Sequence, residues 1–116
     1  MITALRRASP YAFGCCLLLL AVLSWLPGED LPRSGLSGKV EHVVAYAGTM
    51  LVGGLAWPSR RHAVRLTGGL TAYAALMELG QLVAPGRHAS ILDFIAGAVG
   101  VVTAALLLRL VAPRPT

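Results

Sequence analysis

The chain has 116 residues, of which 56% are apolar and 13% charged, with ten Lys and Arg against five Asp and Glu for a net charge of +5. A water-soluble domain carries about 25% charged residues, so this composition excludes an ordinary soluble globule, a disordered chain and a fibrous one, and puts a membrane protein first. The basic balance does not point to nucleic acid, because the basic residues sit at the ends of apolar segments, where they orient a chain in a bilayer.

The first apolar segment opens with Ser9-Pro10, a capping residue followed by a proline at the first helical position, and runs to Leu26, where Pro27-Gly28 stops it. As a helix it rises about 25 Å, near the roughly 30 Å of a hydrocarbon core. Arg6 and Arg7 ahead of an apolar run imitate a secretory signal, but no A-x-A-like cleavage site follows Leu26 and three more apolar segments come after it. Cys15 and Cys16 are adjacent, a poor geometry for a structural disulfide, and are expected to pack.

The second segment covers about 40–57, the third 62–84 and the fourth 91–112, each read as long enough to span. Pro58-Ser59-Arg60-Arg61 and Ala84-Pro85-Gly86-Arg87 are short turns, and residues 27–39 form a longer polar loop. The expected fold is all-α: one domain over 1–116, a polytopic membrane protein of four transmembrane helices running up and down.

Basic residues set the orientation. Arg6, Arg7, Arg60, Arg61, Arg65, Arg109 and Arg114 fall on one side, Arg33, Lys39 and Arg87 on the other, so both termini are expected in the cytoplasm. Trp25 then lies at the outer interface and Trp57 at the inner one, as amphipathic indoles prefer.

All five acidic residues, Glu29, Asp30, Glu41, Glu78 and Asp93, fall in the outer half of this topology. Lys39, His42 and Tyr46 share one helical face, which Thr49 and Gly53 continue. Glu78 and Gln81 share a face near the outer end of the third helix, and Asp93 lies near the outer end of the fourth, close behind Arg87 and Ser90. A charge in hydrocarbon costs about 2.5 to 3.5 kcal/mol at a helix centre, so Glu78 and Asp93 are expected to turn inward and find Arg87, Lys39 or His42. Such a cluster suits an anionic headgroup, or an acid and base pair of His42 with Glu78.

These residues carry a family resemblance. GKVEHVVAYAGTMLVGGL resembles the lysine, histidine and tyrosine segment of the VanZ-like membrane proteins, and MELGQLVAPGRHASILDFIAGAVG resembles their second signature, with Glu78, Gln81, Arg87, Ser90, Asp93 and Gly100 in matching places. The likeness covers residues 38 to 100. Two positions depart from it: Gly38 stands where the family often has aspartate before the lysine, and Gly97 where it has asparagine. The family is named after a protein linked to resistance to teicoplanin-type glycopeptide antibiotics, so the resemblance implies a role at the cell envelope.

On this reading Arg87 and Lys39 hold an anionic, lipid-linked envelope component. Glu78 and Asp93 set the charge and orientation of His42 as the catalytic candidates, and Tyr46, Gln81 and Ser90 are ligand-binding helpers. Membrane lipids are the expected partners, with homo- or hetero-oligomers through glycine-rich helix faces. No cofactor is expected, and His62 and His88 have no metal-ligand spacing to a cysteine or carboxylate.

Plainer roles compete. Ser90-x-x-Asp93 is a capping-box pattern, Glu78 with Gln81 suits an interhelical hydrogen bond, and Arg87 suits snorkelling to headgroups. Gly53-Gly54, Gly68-Gly69 and the Gly97, Gly100 pair suit close helix packing, and Tyr73 a hydrogen-bonding core position. A non-catalytic scaffold for an envelope enzyme is the alternative function. A small transporter ranks below it, because no acidic residue lies near the midplane.

Overall fold

The computed structural model describes residues 1–27, 35 and 37–111. Glu29, Asp30, Arg33, Ala112 and Arg114 of the counts above lie outside the described residues. The described chain is all-helical: α1 (Ile2–Trp25), α2 (Gly38–Ala56), α3 (Arg60–Gln81) and α4 (Ile91–Val111).

The local chemistry accounts for most boundaries. Ser37 and Ser59 are in extended backbone and cap α2 and α3, their hydroxyls accepting from Val40 N–H and His62 N–H. Trp57 ends α2 just before Pro58, and Leu26 leaves the helical region just before Pro27, as a residue preceding proline tends to do. After Gln81 the chain tightens into i→i+3 bonds, Leu82 to Leu79 and Val83 to Gly80, so α3 stops short of the expected Ala84.

The start of α1 corrects the sequence reading. The helix begins at Ile2, and Pro10 sits inside it instead of opening it. Pro10 leaves one carbonyl of the ladder without its usual donor, yet the preceding Ala4, Leu5, Arg6, Arg7 and Ala8 are strong helix formers. The buried Ser9 does not cap; its hydroxyl donates back to the Leu5 carbonyl.

Side-chain bonds fix the helix directions. The C-terminal half of α1 meets the C-terminal half of α3 through Trp25 and Tyr73, whereas Phe13 in its first half packs edge-on against Trp57 at the end of α2. Lys39 reaches Asp93 at the beginnings of α2 and α4, and Gly54 meets Leu108 near their ends. Consecutive helices therefore alternate in direction. α2 is the hub, its contact with α4 is the most extensive, and among the described residues α1 touches α2 and α3 but not α4. Met50 and Val101 are fully buried at the centre, with Tyr46, Leu70, Ala74 and Ala104 around them.

The seam between α2 and α4 depends on Gly100. A Cβ there would collide with the Val43 carbonyl oxygen, so two backbones meet with no side chain between them. Gly97 makes room for the Tyr46 ring and Gly53 for Phe13 and Leu66. Gly68 and Gly69 have nothing within 4 Å; Gly68 faces outward and Gly69 borders an open cavity, so neither is a packing point within this chain.

The exterior is apolar. Leu18, Leu19, Val44, Leu55, Leu76, Leu79, Val99 and Leu106 are among the exposed side chains, whereas Glu78, Gln81, Thr49 and Ser9 are buried. α1 and α4 are long and apolar enough to cross a membrane. α2 carries Lys39 and Glu41 in its first turn and α3 carries Arg60, Arg61, Arg65 and Glu78, so these two rank lower on apolarity than the sequence reading had them.

The Gly100 contact is testable by contrast. Gly100→Ala is expected to destabilise the purified protein by about 1–3 kcal/mol, because neither backbone can yield. Gly68→Ala is expected to be neutral or to stabilise by up to about 1 kcal/mol through helix propensity. Thermal unfolding in one detergent measures both.

Candidate functional site

The ends of the bundle differ in chemistry. The start of α1, the α2–α3 turn and the end of α4 bring Arg6, Arg7, Arg60, Arg61, Arg65 and Arg109 to one end. The other end gathers Lys39, Glu41 and His42 from α2, Glu78 and Gln81 from α3, Arg87 and Ser90 from the following segment, and Asp93 from α4.

Glu78 is at the centre of this second group and is 9% exposed. Its Oε2 accepts the Ser90 backbone N–H at 2.9 Å, and its Oε1 lies 3.6 Å from His42 Nε2. The other nitrogen of that ring, Nδ1, is 2.7 Å from the Gly38 carbonyl one turn earlier. A carbonyl only accepts, so Nδ1 carries a proton and donates it. Tyr46, one turn after His42, holds its ring nearly parallel to the imidazole at 6.5 Å between centroids.

Ser90 and Asp93 make half a capping box. The Ser90 hydroxyl accepts from Asp93 N–H at 3.3 Å, as an N-cap does. The reciprocal bond to Ser90 N–H comes from Glu78 on α3, not from Asp93. The Asp93 carboxylate points elsewhere, with Lys39 Nζ 3.9 Å from its Oδ1. Lys39 is more than half exposed, so this pair contributes at most about 1 kcal/mol.

His42, Glu78 and Asp93 thus converge from three helices, and one ligand atom of each lies within 4.8 Å of the others. The sequence reading found no metal-ligand spacing; these residues are far apart in the chain and only the fold assembles them. The two histidines considered for metal are elsewhere: His62 bonds Ser59 at the α3 cap, and His88 is exposed.

Of the three candidate partners for Glu78 and Asp93, the structure brings Lys39 and His42 to them and turns Arg87 elsewhere: its Nη1 donates to the Leu23 and Leu26 carbonyls at 2.7 and 3.2 Å, capping the last turn of α1. Gln81 acts alongside it, its Nε2 donating to the Ser24 carbonyl at 3.1 Å. This bond crosses from α3 to α1, the interhelical role expected at this face. The Tyr73 hydroxyl donates to the Leu17 carbonyl, and Trp25 Nε1 donates to the Met77 carbonyl at 3.2 Å, with its ring lying over Gly80. These four side chains fasten α1 to α3 by polar bonds to backbone, a form of attachment suited to apolar surroundings.

A cavity of about 150 Å³ opens at this end, lined by Leu23, Ser24, Glu41, His42, Tyr46 and Arg87 among others. A larger one, about 400 Å³, lies toward the arginine-rich end between Phe13, Leu17, Trp57 and Leu66. Its walls are mainly apolar, with His62 and Arg65 but no acidic group, so the chemistry belongs to the smaller cavity. No protein-family model, curated protein or solved structure matches this chain.

The division of labour among these residues is measurable. Arg87→Ala is expected to cost about 1.5–3 kcal/mol, because a charged donor to two carbonyls is lost, and Lys39→Ala under about 1 kcal/mol. Hydrogen exchange in the last turn of α1 should rise in the first variant and stay unchanged in the second.

Proposed function

We propose that the chain is a four-span membrane protein of the VanZ-like type, with both termini cytoplasmic, that binds an anionic, lipid-linked envelope component at its non-cytoplasmic end. The observation that carries the reading is the convergence of Lys39, His42, Glu78 and Asp93 at the end of an apolar-faced bundle opposite the arginines. Arginine retained on one side marks the cytoplasmic face. With α1 and α4 as spans, α2 and α3 return through the same layer, their ionisable residues turned toward neighbouring helices or placed at the helix ends.

Lys39, half-exposed at the rim, and Arg87, in the wall of the cavity beside His42, supply positive charge to a phosphate or carboxylate headgroup. Glu78 orients His42, and Tyr46 backs the ring. A contribution to glycopeptide resistance, as the VanZ resemblance implies, would act through that headgroup. The scaffold reading has one observation in its favour: Gly68 lies open on the outer face of α3 beside the exposed Ala72 and Leu76, a surface that another helix can approach closely.

Two measurements test the proposal. In a background with Cys15 and Cys16 replaced by alanine, cysteine at Val83 should be labelled from outside intact cells and cysteine at Arg61 only from inside; the reverse pattern overturns the topology. Protein extracted in native lipid should carry an anionic lipid enriched over bulk membrane, and Lys39→Gln should reduce that enrichment by about tenfold, the weight of one charge-assisted contact. Wild-type protein with bulk lipid composition overturns the headgroup reading. If Gly68→Leu then abolishes an envelope phenotype that Lys39→Gln leaves intact, the scaffold reading takes its place.

A further inference from the structure

The grouping of His42, Glu78 and Asp93 leads further. With Nδ1 turned to the Gly38 carbonyl, the other ring nitrogen, Nε2, faces the Glu78 carboxylate at 3.6 Å. Two ligands of one zinc-sized ion, each about 2.0–2.2 Å from the metal, lie about 3.4 Å apart at a tetrahedral angle.

The surroundings of these side chains match those of a metal site. Metal-bound histidines commonly donate their second nitrogen to a backbone carbonyl or carboxylate, which fixes the tautomer and the ring; the bond to Gly38 does this. Ligating carboxylates are held by outer hydrogen bonds, and Ser90 N–H holds Glu78 through Oε2 while Oε1 faces His42. Asp93 is excused from the capping box by Glu78 and brings a second carboxylate to the same space. One turn after Glu78 on the same helical face, Gln81 is 2% exposed and its Oε1 has no donor. Lys39, half in solvent, is the cation paired with Asp93.

We propose that His42, Glu78 and Asp93 form a binding site for a divalent transition-metal ion of the zinc class. One imidazole and two carboxylates suit such an ion better than calcium or magnesium, which prefer oxygen alone. Three protein ligands leave a coordination position open, as in zinc sites that take water or an anionic oxygen from a ligand. Pairs of ligands on one tetrahedral ion lie about 3.4 Å apart, so uptake draws the cluster, whose atoms lie within 4.8 Å of one another, inward by up to about 1.4 Å. The proposal does not depend on the headgroup reading, and Lys39 separates the two: it competes with the metal for Asp93 but assists an anionic headgroup.

The test is titration of the full chain, purified in detergent through a tag without histidine and stripped with chelator, with Co²⁺ and then Zn²⁺. One cobalt ion per chain should bind with visible absorption from low-symmetry nitrogen and oxygen ligation, and Zn²⁺ should displace it. His42→Gln, Glu78→Gln and Asp93→Asn should each weaken Zn²⁺ binding by at least about tenfold, with helix content by circular dichroism unchanged. Lys39→Ala should tighten it while reducing anionic-lipid enrichment. The proposal is overturned if the wild type takes up no cobalt, or if the ion stays equally well bound in all three ligand variants. Should any of those variants unfold, the wild-type cobalt spectrum and the tightening in Lys39→Ala decide the matter. Metal uptake without lipid enrichment would leave this site standing and remove the headgroup reading.

Discussion

A carboxylate enclosed in a bundle whose outer faces are apolar must draw its donors from within, and Glu78 imposes that requirement on three helices. Ser90 answers it with a backbone N–H, which places the start of α4 beside the second half of α3. His42 answers from α2, and for its ring to do so the first turn of α2 must sit at the same depth. The close seam at Gly100 and Val43 allows this, since α2 and α4 can then begin side by side. Asp93 is displaced from its own helix cap and left to interact with Lys39 and the cluster. One buried charge thereby fixes the relative placement of α2, α3 and α4.

α1 is held by different means. It contributes Leu20 to the core, but its exact position against α3 is set by side chains bonding to carbonyls along its length, Tyr73 to Leu17, Gln81 to Ser24 and Arg87 to Leu23 and Leu26. In water such bonds compete with solvent; in apolar surroundings they do not, and the last carbonyls of a helix are the ones most in need of partners. Arg87 therefore both closes α1 and forms a wall of the small cavity, so its guanidinium couples the position of α1 to the polar end.

Composition and hydropathy made the helical class and the placement of four helices legible, because runs of apolar residues between Pro, Gly and Arg are read directly. The grouping of His42, Glu78 and Asp93 at one end was legible too, from helix face and depth. What escapes composition and hydropathy is the contact of Arg87 and the completion of the Ser90 cap. Arg87 is drawn as readily to backbone carbonyls as to carboxylates, and residue type does not distinguish them. Ser90-x-x-Asp93 has the spacing of a capping box, but a glutamate from another helix completes it. Proline signals a helix start strongly, so Pro10 reads as one, yet the helix-forming run before it outweighs the lost bond. Gly68 and Gly69 have the composition of a packing point, and only the three-dimensional arrangement reveals that this chain puts nothing against them.

The central claim is that helices α2 and α3 bring His42 and Glu78 face to face at the polar end. Dipolar recoupling between the labelled His42 side-chain nitrogen and the labelled Glu78 carboxyl carbon, recorded by solid-state NMR on the protein in bilayers, measures this directly. The account predicts strong dephasing, as the 3.6 Å approach of Nε2 to Oε1 requires. Absence of dephasing at long recoupling times would place the two side chains apart and contradict it.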